Sequence, residues 1–192
     1  IPANMFACVV LDYMAEIAED IFYDPDLAHR SSKLQSTIRT SIEKNAVVHH
    51  EKFGAVYAYE IDGFGQYNIM DDANVPSLLS APFLGYVSAE NEVYQNTRRL
   101  ILSDMNPYFY KGQAASGIGS PHTPINHVWP ISLVMQGLTC PDKNEKKRIL
   151  ELLLRTDGGT GCMHESFNVD EPRTYTREWF SWADAFFCTL VL

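Results

Sequence analysis

The chain has 192 residues, 46% of them hydrophobic and 12% aromatic, enough for one packed domain with a sizeable core. Only 20% are charged, and the net charge of -9 comes from acids scattered along the chain with no basic stripe, which argues against nucleic acid as a partner. No apolar run approaches the roughly 20 residues needed to cross a bilayer, so a soluble protein with no membrane partner is expected.

Apolar side chains at helical spacing (Phe6, Val9, Val10, Tyr13, Met14, Ile17, Ile21) predict a first helix over residues 3 to 22 with a core-facing stripe. Asp24 as N-cap and Pro25 at the first helical position open a second one through Leu27, Leu34, Ile38 and Ile42, and the two form an antiparallel hairpin. β-Branched and aromatic residues on either side of Lys52-Phe53-Gly54 predict a short β-hairpin. Helices follow near Val75 to Leu84, broken by Pro82, and over Glu90 to Leu102. The segment NPYFYKGQAASGIGSPHTPIN is a long irregular connection, and its aromatics Tyr108, Phe109 and Tyr110 argue against disorder. A third helical pair spans Val128 to Leu138 and Asp142 to Thr156. A last helix begins near Thr176 as N-cap, with Glu178 in its first turn.

Seven helices are thus predicted, paired by short turns on one side and by long, polar, glycine-rich loops on the other. A ring of helical hairpins would produce that alternation, although a plain bundle would show similar periods. Three of the loops, 62 to 76, 117 to 130 and 158 to 167, concentrate polar and aromatic residues, and functional groups gather on loops carried by a rigid scaffold. One shared site is the expectation. The start, Ile1-Pro2-Ala3, shows no initiator Met and no targeting segment, and reads as the interior of a longer chain. Cys8, Cys140, Cys162 and Cys188 lie far apart without a CxxC pair, so four reduced cysteines are expected. His49 and His50, adjacent in a strand, point to opposite faces, and no HExxH or two-His-plus-carboxylate spacing occurs; no metal and no cofactor are expected.

The strings YAYEIDGFGQYNIMDDANVPSLLSAPFLGY, NPYFYKGQAASGIGSPHT, VWPISLVMQGLT, RTDGGTGCMHESF and YTREWFSWADAFF, with others spanning nearly the whole chain, resemble glycoside hydrolase family 125, the exo-α-1,6-mannosidases. The resemblance implies a mainly α fold, an (α/α)6 barrel. Residues 1-192 would form a single partial catalytic domain holding an incomplete part of that barrel. The implied activity is removal of a terminal α-1,6-linked mannose with inversion and without a metal. The implied substrate is a mannose-containing oligosaccharide or N-glycan.

Inverting hydrolysis needs two carboxyl groups on opposite faces of the sugar, roughly 6.5 to 9.5 Å apart. The resemblance gives the base as Glu165, in the His-Glu-Ser-Phe loop, and puts the acid in an Asp-Asp segment upstream of Ile1. The family's bacterial members vary at the Glu178 position and carry Asn at that of Asp184, which counts against Glu178. Asp71, Asp72 and Asn74 are candidates for holding sugar hydroxyls, with Asp72 equally a helix N-cap. His122 and Trp129 could form a sugar platform, although Trp129 also suits ordinary core. His164 either orients Glu165 or contacts a hydroxyl, or is a loop histidine satisfied by backbone. Arg177 reads as a structural partner of a loop acid, and Trp179, Phe180, Phe186 and Phe187 as core. Two other classes stay open: a catalytically silent carbohydrate-binding relative, and an α/α-barrel hydrolase acting on other glycans.

Overall fold

The computed structural model describes residues 1–192. Six helices carry the chain: α1 (Pro2–Asp20), α2 (Pro25–Asn45), α3 (Glu92–Ile101), α4 (Pro130–Leu138), α5 (Lys143–Arg155) and α6 (Ser181–Val191). Between them lie short antiparallel sheets. β1 (Val47–His50) pairs with β2 (Gly54–Tyr57), β3 (Glu60–Ile61) with β4 (Tyr67–Asn68), and β5 (Phe109–Lys111) with β6 (Ser116–Ile118). β7 (His127–Val128), β8 (Ser166–Asn168) and β9 (Tyr175–Thr176) form a three-stranded sheet with β8 in the middle. All four cysteines are free, and no helix is long and apolar enough to cross a membrane.

A side-chain cap sets the start of three of the six helices. The Asp24 carboxylate accepts the N–H of Leu27 at 2.9 Å with Pro25 in the first turn, Asn91 accepts from Tyr94 at 3.0 Å, and Asp142 accepts from Asn144 at 2.9 Å. α4 is apolar on nearly all sides and runs through the middle of the core, every residue from Pro130 to Met135 being buried. Leu100 and Ile101 of α3, Leu153 of α5 and Phe167 of β8 belong to the same buried cluster.

Three expectations are corrected. α1 does not turn its large apolar stripe toward this core: it packs on α2 through Met5, Cys8, Val9 and Ala18, against Ala28, Ser31 and Ile42. Phe6, Val10, Tyr13, Met14, Ile17 and Ile21 are left exposed along the opposite face. Thr176 is not a helix cap; it lies in β9, and α6 starts five residues later with Phe180 in the cap position.

The segment Val75 to Leu84 forms turns where a helix is expected. Its backbone groups are taken by side chains. The Asp71 carboxylate accepts the N–H of Leu78 at 2.8 Å and of Leu79 at 2.9 Å, Ser77 and Ser80 receive each other's N–H, and Tyr94 donates its hydroxyl to the Leu79 carbonyl. Asp71 is fully buried, so it is a backbone anchor and not a sugar ligand, a correction to the reading above. Burial pushes its carboxyl up to about 7, against the pull of the Leu79 and Leu78 N–H groups toward the ionised form.

A folded-state value above the unfolded one means that the folded chain holds this proton more tightly. The stabilisation is therefore full below about pH 4 and is lost as the pH climbs toward 7. Asp71→Asn leaves one N–H facing an amide N–H₂ and is expected to cost about 1–3 kcal/mol in urea denaturation. The advantage of Asp over Asn should shrink between pH 4 and pH 7. A difference constant over that range would contradict the assignment.

Candidate functional site

The three-stranded sheet assembles the site. Val128 pairs with Phe167, and Ser166 with Thr176. Because both pairings are antiparallel, the end of β7, the start of β8 and the end of β9 lie at one edge. The residues that leave the sheet there are Trp129, Glu165 and Arg177. Backbone hydrogen bonds draw in the other loops: Trp129 N–H donates to Ile118 O, Ala73 N–H to Gly119 O, and Val169 N–H to Asn126 O. Gly119 admits this crossing, since a Cβ there would sit 2.2 Å from the His127 carbonyl oxygen.

A cavity of about 650 Å³ opens at this edge, lined by Asn74, His122, Trp129, Glu165, Arg177, Phe180 and Trp182. Its volume suits a small polar ligand. The Trp129 indole is buried and donates to Thr123 Oγ1 at 2.9 Å, so it serves core and cavity together; its ring meets Phe180 edge to face, and Phe180 meets Trp182 in the same way. Asn74 is oriented by Asp72, whose carboxylate accepts both its backbone and its side-chain N–H. His122 is exposed at the rim.

Glu165 differs from the aspartates near the cavity. Asp71 accepts two backbone N–H groups, Asp157 accepts those of Gly159 and Gly161, and Asp184 accepts that of Met163 at 2.8 Å. The Glu165 carboxylate accepts no backbone N–H; its partner is the Arg177 guanidinium, Nε lying 3.4 Å from Oε1. Its side chain is 15% exposed, against 65% for that of Arg177. A mostly buried carboxylate with free accepting capacity facing a cavity can take a proton from a bound water.

The backbone around Glu165 is held on both sides. Its N–H donates to Thr176 O, Met163 O accepts the Phe180 N–H, and Ser166 and Thr176 share a hydroxyl hydrogen bond of 2.7 Å. His164 is buried, stacks on Tyr175 with ring centroids 3.8 Å apart, and turns its ring nitrogens to the carbonyls of Glu178 and Asp157. It pins the loop and is not among the residues lining the cavity, which matches the backbone-satisfied reading of the three given above; Asp71 is likewise held by backbone, and Asp72 bears on the cavity through Asn74. Of the expected contacts, Glu165, Asn74, His122 and Trp129 come together.

Arg177 is read from sequence as a structural partner of a loop acid and Phe180 as core, and Trp182 has no role there; all three line the cavity. The run Thr174-Tyr175-Thr176 carried the missed signal: β-branched and aromatic residues mark a strand, and a strand there puts Arg177 to Phe180 on the loop that leaves it.

The glycine-rich turn before the site is equally constrained. Gly158 has φ +64°, and a Cβ on it would lie 3.0 Å from Tyr175 and 3.4 Å from the His164 ring; Gly159, at φ +83°, has open space around it. Gly159→Ala should therefore cost only the conformational term, about 1 kcal/mol, and Gly158→Ala clearly more, about 2–3 kcal/mol, because the His164–Tyr175 stack must shift as well. Chemical denaturation of the two variants side by side tests this; equal losses would mean that the stack does not constrain the turn.

Comparison with known proteins identifies the relatives of the chain. A family model described as metal-independent alpha-mannosidase (GH125) matches residues 1–192. A Schizosaccharomyces pombe protein called meiotically up-regulated gene 157 protein is 45% identical over the whole chain, which covers 38% of that protein. A solved structure from Streptococcus pneumoniae, described as a metal-independent alpha mannosidase in a non-productive complex with alpha-1,6-mannobiose, is 54% identical with a TM-score of 0.97. It is matched over 100% of this chain and 46% of its own. A bacterial glucoamylase solved with acarbose shares the fold at 16% identity and a TM-score of 0.76, over 99% of this chain and 32% of its own. The chain thus spans less than half the length of each of these relatives.

Proposed function

Since the chain belongs to glycoside hydrolase family 125, whose model covers it from residue 1 to 192, we propose that the whole protein is an inverting exo-α-1,6-mannosidase with Glu165 as its general base. In this reading residues 1–192 are one part of a single catalytic domain, an (α/α)6 barrel whose remainder carries the general acid. The exposed apolar stripe of α1, Phe6 to Ile21, is then the flank on which that remainder packs. The likeness in fold to a glycosidase as distant as the glucoamylase supports the same architecture.

The observation that carries the reading is the state of Glu165: a carboxylate with unspent acceptors, fixed by its backbone, in an aromatic-lined cavity. The base takes a proton from a water on the face of the sugar opposite the glycosidic oxygen, while the acid, roughly 6.5 to 9.5 Å away, protonates the departing oxygen. Asn74 and His122 supply hydrogen-bonding groups for mannose hydroxyls, and Trp129 with Phe180 a surface for its apolar face. The substrate class, a terminal α-1,6-mannose on an oligosaccharide or N-glycan, follows the mannobiose found with the streptococcal relative.

Glu165→Gln preserves shape and removes proton acceptance, so turnover of α-1,6-mannobiose by the whole protein should fall by ~10² to 10⁴ with binding largely kept. Proton NMR of the wild-type reaction should show β-mannose first. Chelators should leave the rate unchanged. An α-anomeric first product, or a Gln variant with normal turnover, would overturn the assignment; sugar binding without any turnover by the wild type would favour the silent carbohydrate-binding alternative.

A further inference from the structure

Arg177 sits where a simple structural ion pair explains little. Its backbone has φ +46°, in the left-handed region that non-glycine residues seldom occupy. The residues on either side hold it there: the Thr176 carbonyl accepts the Glu165 N–H, the Glu178 carbonyl faces the His164 ring, and the Phe180 N–H donates to Met163 O. Exposed ion pairs contribute little to stability, and a left-handed arginine works against it. The conformation does have a local result. It carries the guanidinium over the Phe180 ring, 5.6 Å from its centroid, and brings Nε to 3.4 Å from Oε1 of Glu165, on the rim of the cavity.

Resting on the assignment of Glu165 as base, we propose that Arg177 is a positioning residue for the hydrolytic step. Its planar fork holds Oε1, which leaves Oε2 turned to the attacking water, and the left-handed backbone at 177 is kept because a relaxed one would aim the side chain away. Arginine suits this task better than lysine, since its guanidinium combines a directional donor edge with a flat face for Phe180.

The test compares Arg177→Lys, Arg177→Ala and Arg177→Gly in the whole protein, with α-1,6-mannobiose as substrate. Ala and Gly should both lower kcat by about 30- to 100-fold, the scale of a misplaced catalytic group, with KM changed less than about threefold. Lys should recover about tenfold over Ala. The stabilities should part where the activities do not: Gly accepts φ +46° without a Cβ, so the Gly variant melts higher than the Ala variant although both have lost the guanidinium. Wild-type kcat in the Ala variant, or a loss confined to KM, would overturn the positioning role while leaving the mannosidase reading intact. A wild-type protein inactive on α-mannosides, or Glu165→Gln with normal turnover, would overturn that reading and the role of Arg177 with it.

Discussion

The antiparallel pairing of β8 with both β7 and β9 is the constraint on which the site depends. Each of these strands is only two or three residues long and would not persist alone. Helices α4 and α5, the central core of this chain, fill the interval between β7 and β8, and bring Val128 and Phe167 into register. Once that pairing exists, antiparallel geometry does the rest, because Trp129, Glu165 and Arg177 must leave the sheet at the same edge. The cavity is therefore a property of strand register, and the loops that line it are less free than their composition suggests. Ala73, Asn126 and Val169 extend the network by single backbone hydrogen bonds, so the three polar loops behave as one body.

Within that body the acids divide by what their oxygens hold. Asp184 of α6 takes the Met163 N–H on one oxygen and keeps the other buried without a partner, while Asp71, Asp72 and Asp157 are committed to N–H groups of turns that no regular secondary structure would fix. This is the ordinary use of a short carboxylate in a loop. Glu165, one methylene longer and placed at the mouth of a strand, reaches past its own backbone into the cavity. Its distinction is thus relational: the surrounding aspartates satisfy the loop, and the glutamate is left accessible to a ligand.

Much of the fold was legible because it follows from patterns longer than a turn. The Asp24-Pro25 start of α2, the hairpin around Lys52-Phe53-Gly54 and the helices over 92–101, 130–138 and 143–155 all fall where periodicity and capping put them. The errors share one cause, a local pattern outvoted by a distant partner. Val75 to Leu84 has helical spacing, yet Asp71, Ser77 and Ser80 take its N–H groups. Thr176 is a good cap in isolation, but Ser166 and Glu165 claim it for a strand. The large stripe of α1 does not face α2, since the face turned there is the one that carries Met5, Cys8, Val9 and Ala18. The site was legible to the extent that a residue's chemistry requires exposure to ligand: Glu165, Asn74, His122 and Trp129 stand together in the cavity. The role of Asp71 was not legible, and for His164 the backbone-bound reading stood beside two others, since a carboxylate or imidazole bound to backbone is spelled the same way as one bound to a ligand.

The crossing of β7, β8 and β9 also orders events in time. The pairing Val128–Phe167 closes a loop over the whole α4–α5 hairpin, so its entropy cost is met only after those helices have docked, whereas Ser166–Thr176 closes a short loop of its own. Helical content can rise well before a functional cavity exists. During synthesis the chain would display its helices while still lacking an aligned carboxylate, and any opening that breaks the Val128–Phe167 pairing would scatter the cavity lining before the helices melt. Loss of ligand capture should then precede loss of ellipticity, which makes the cavity a more sensitive gauge of the native state than secondary structure.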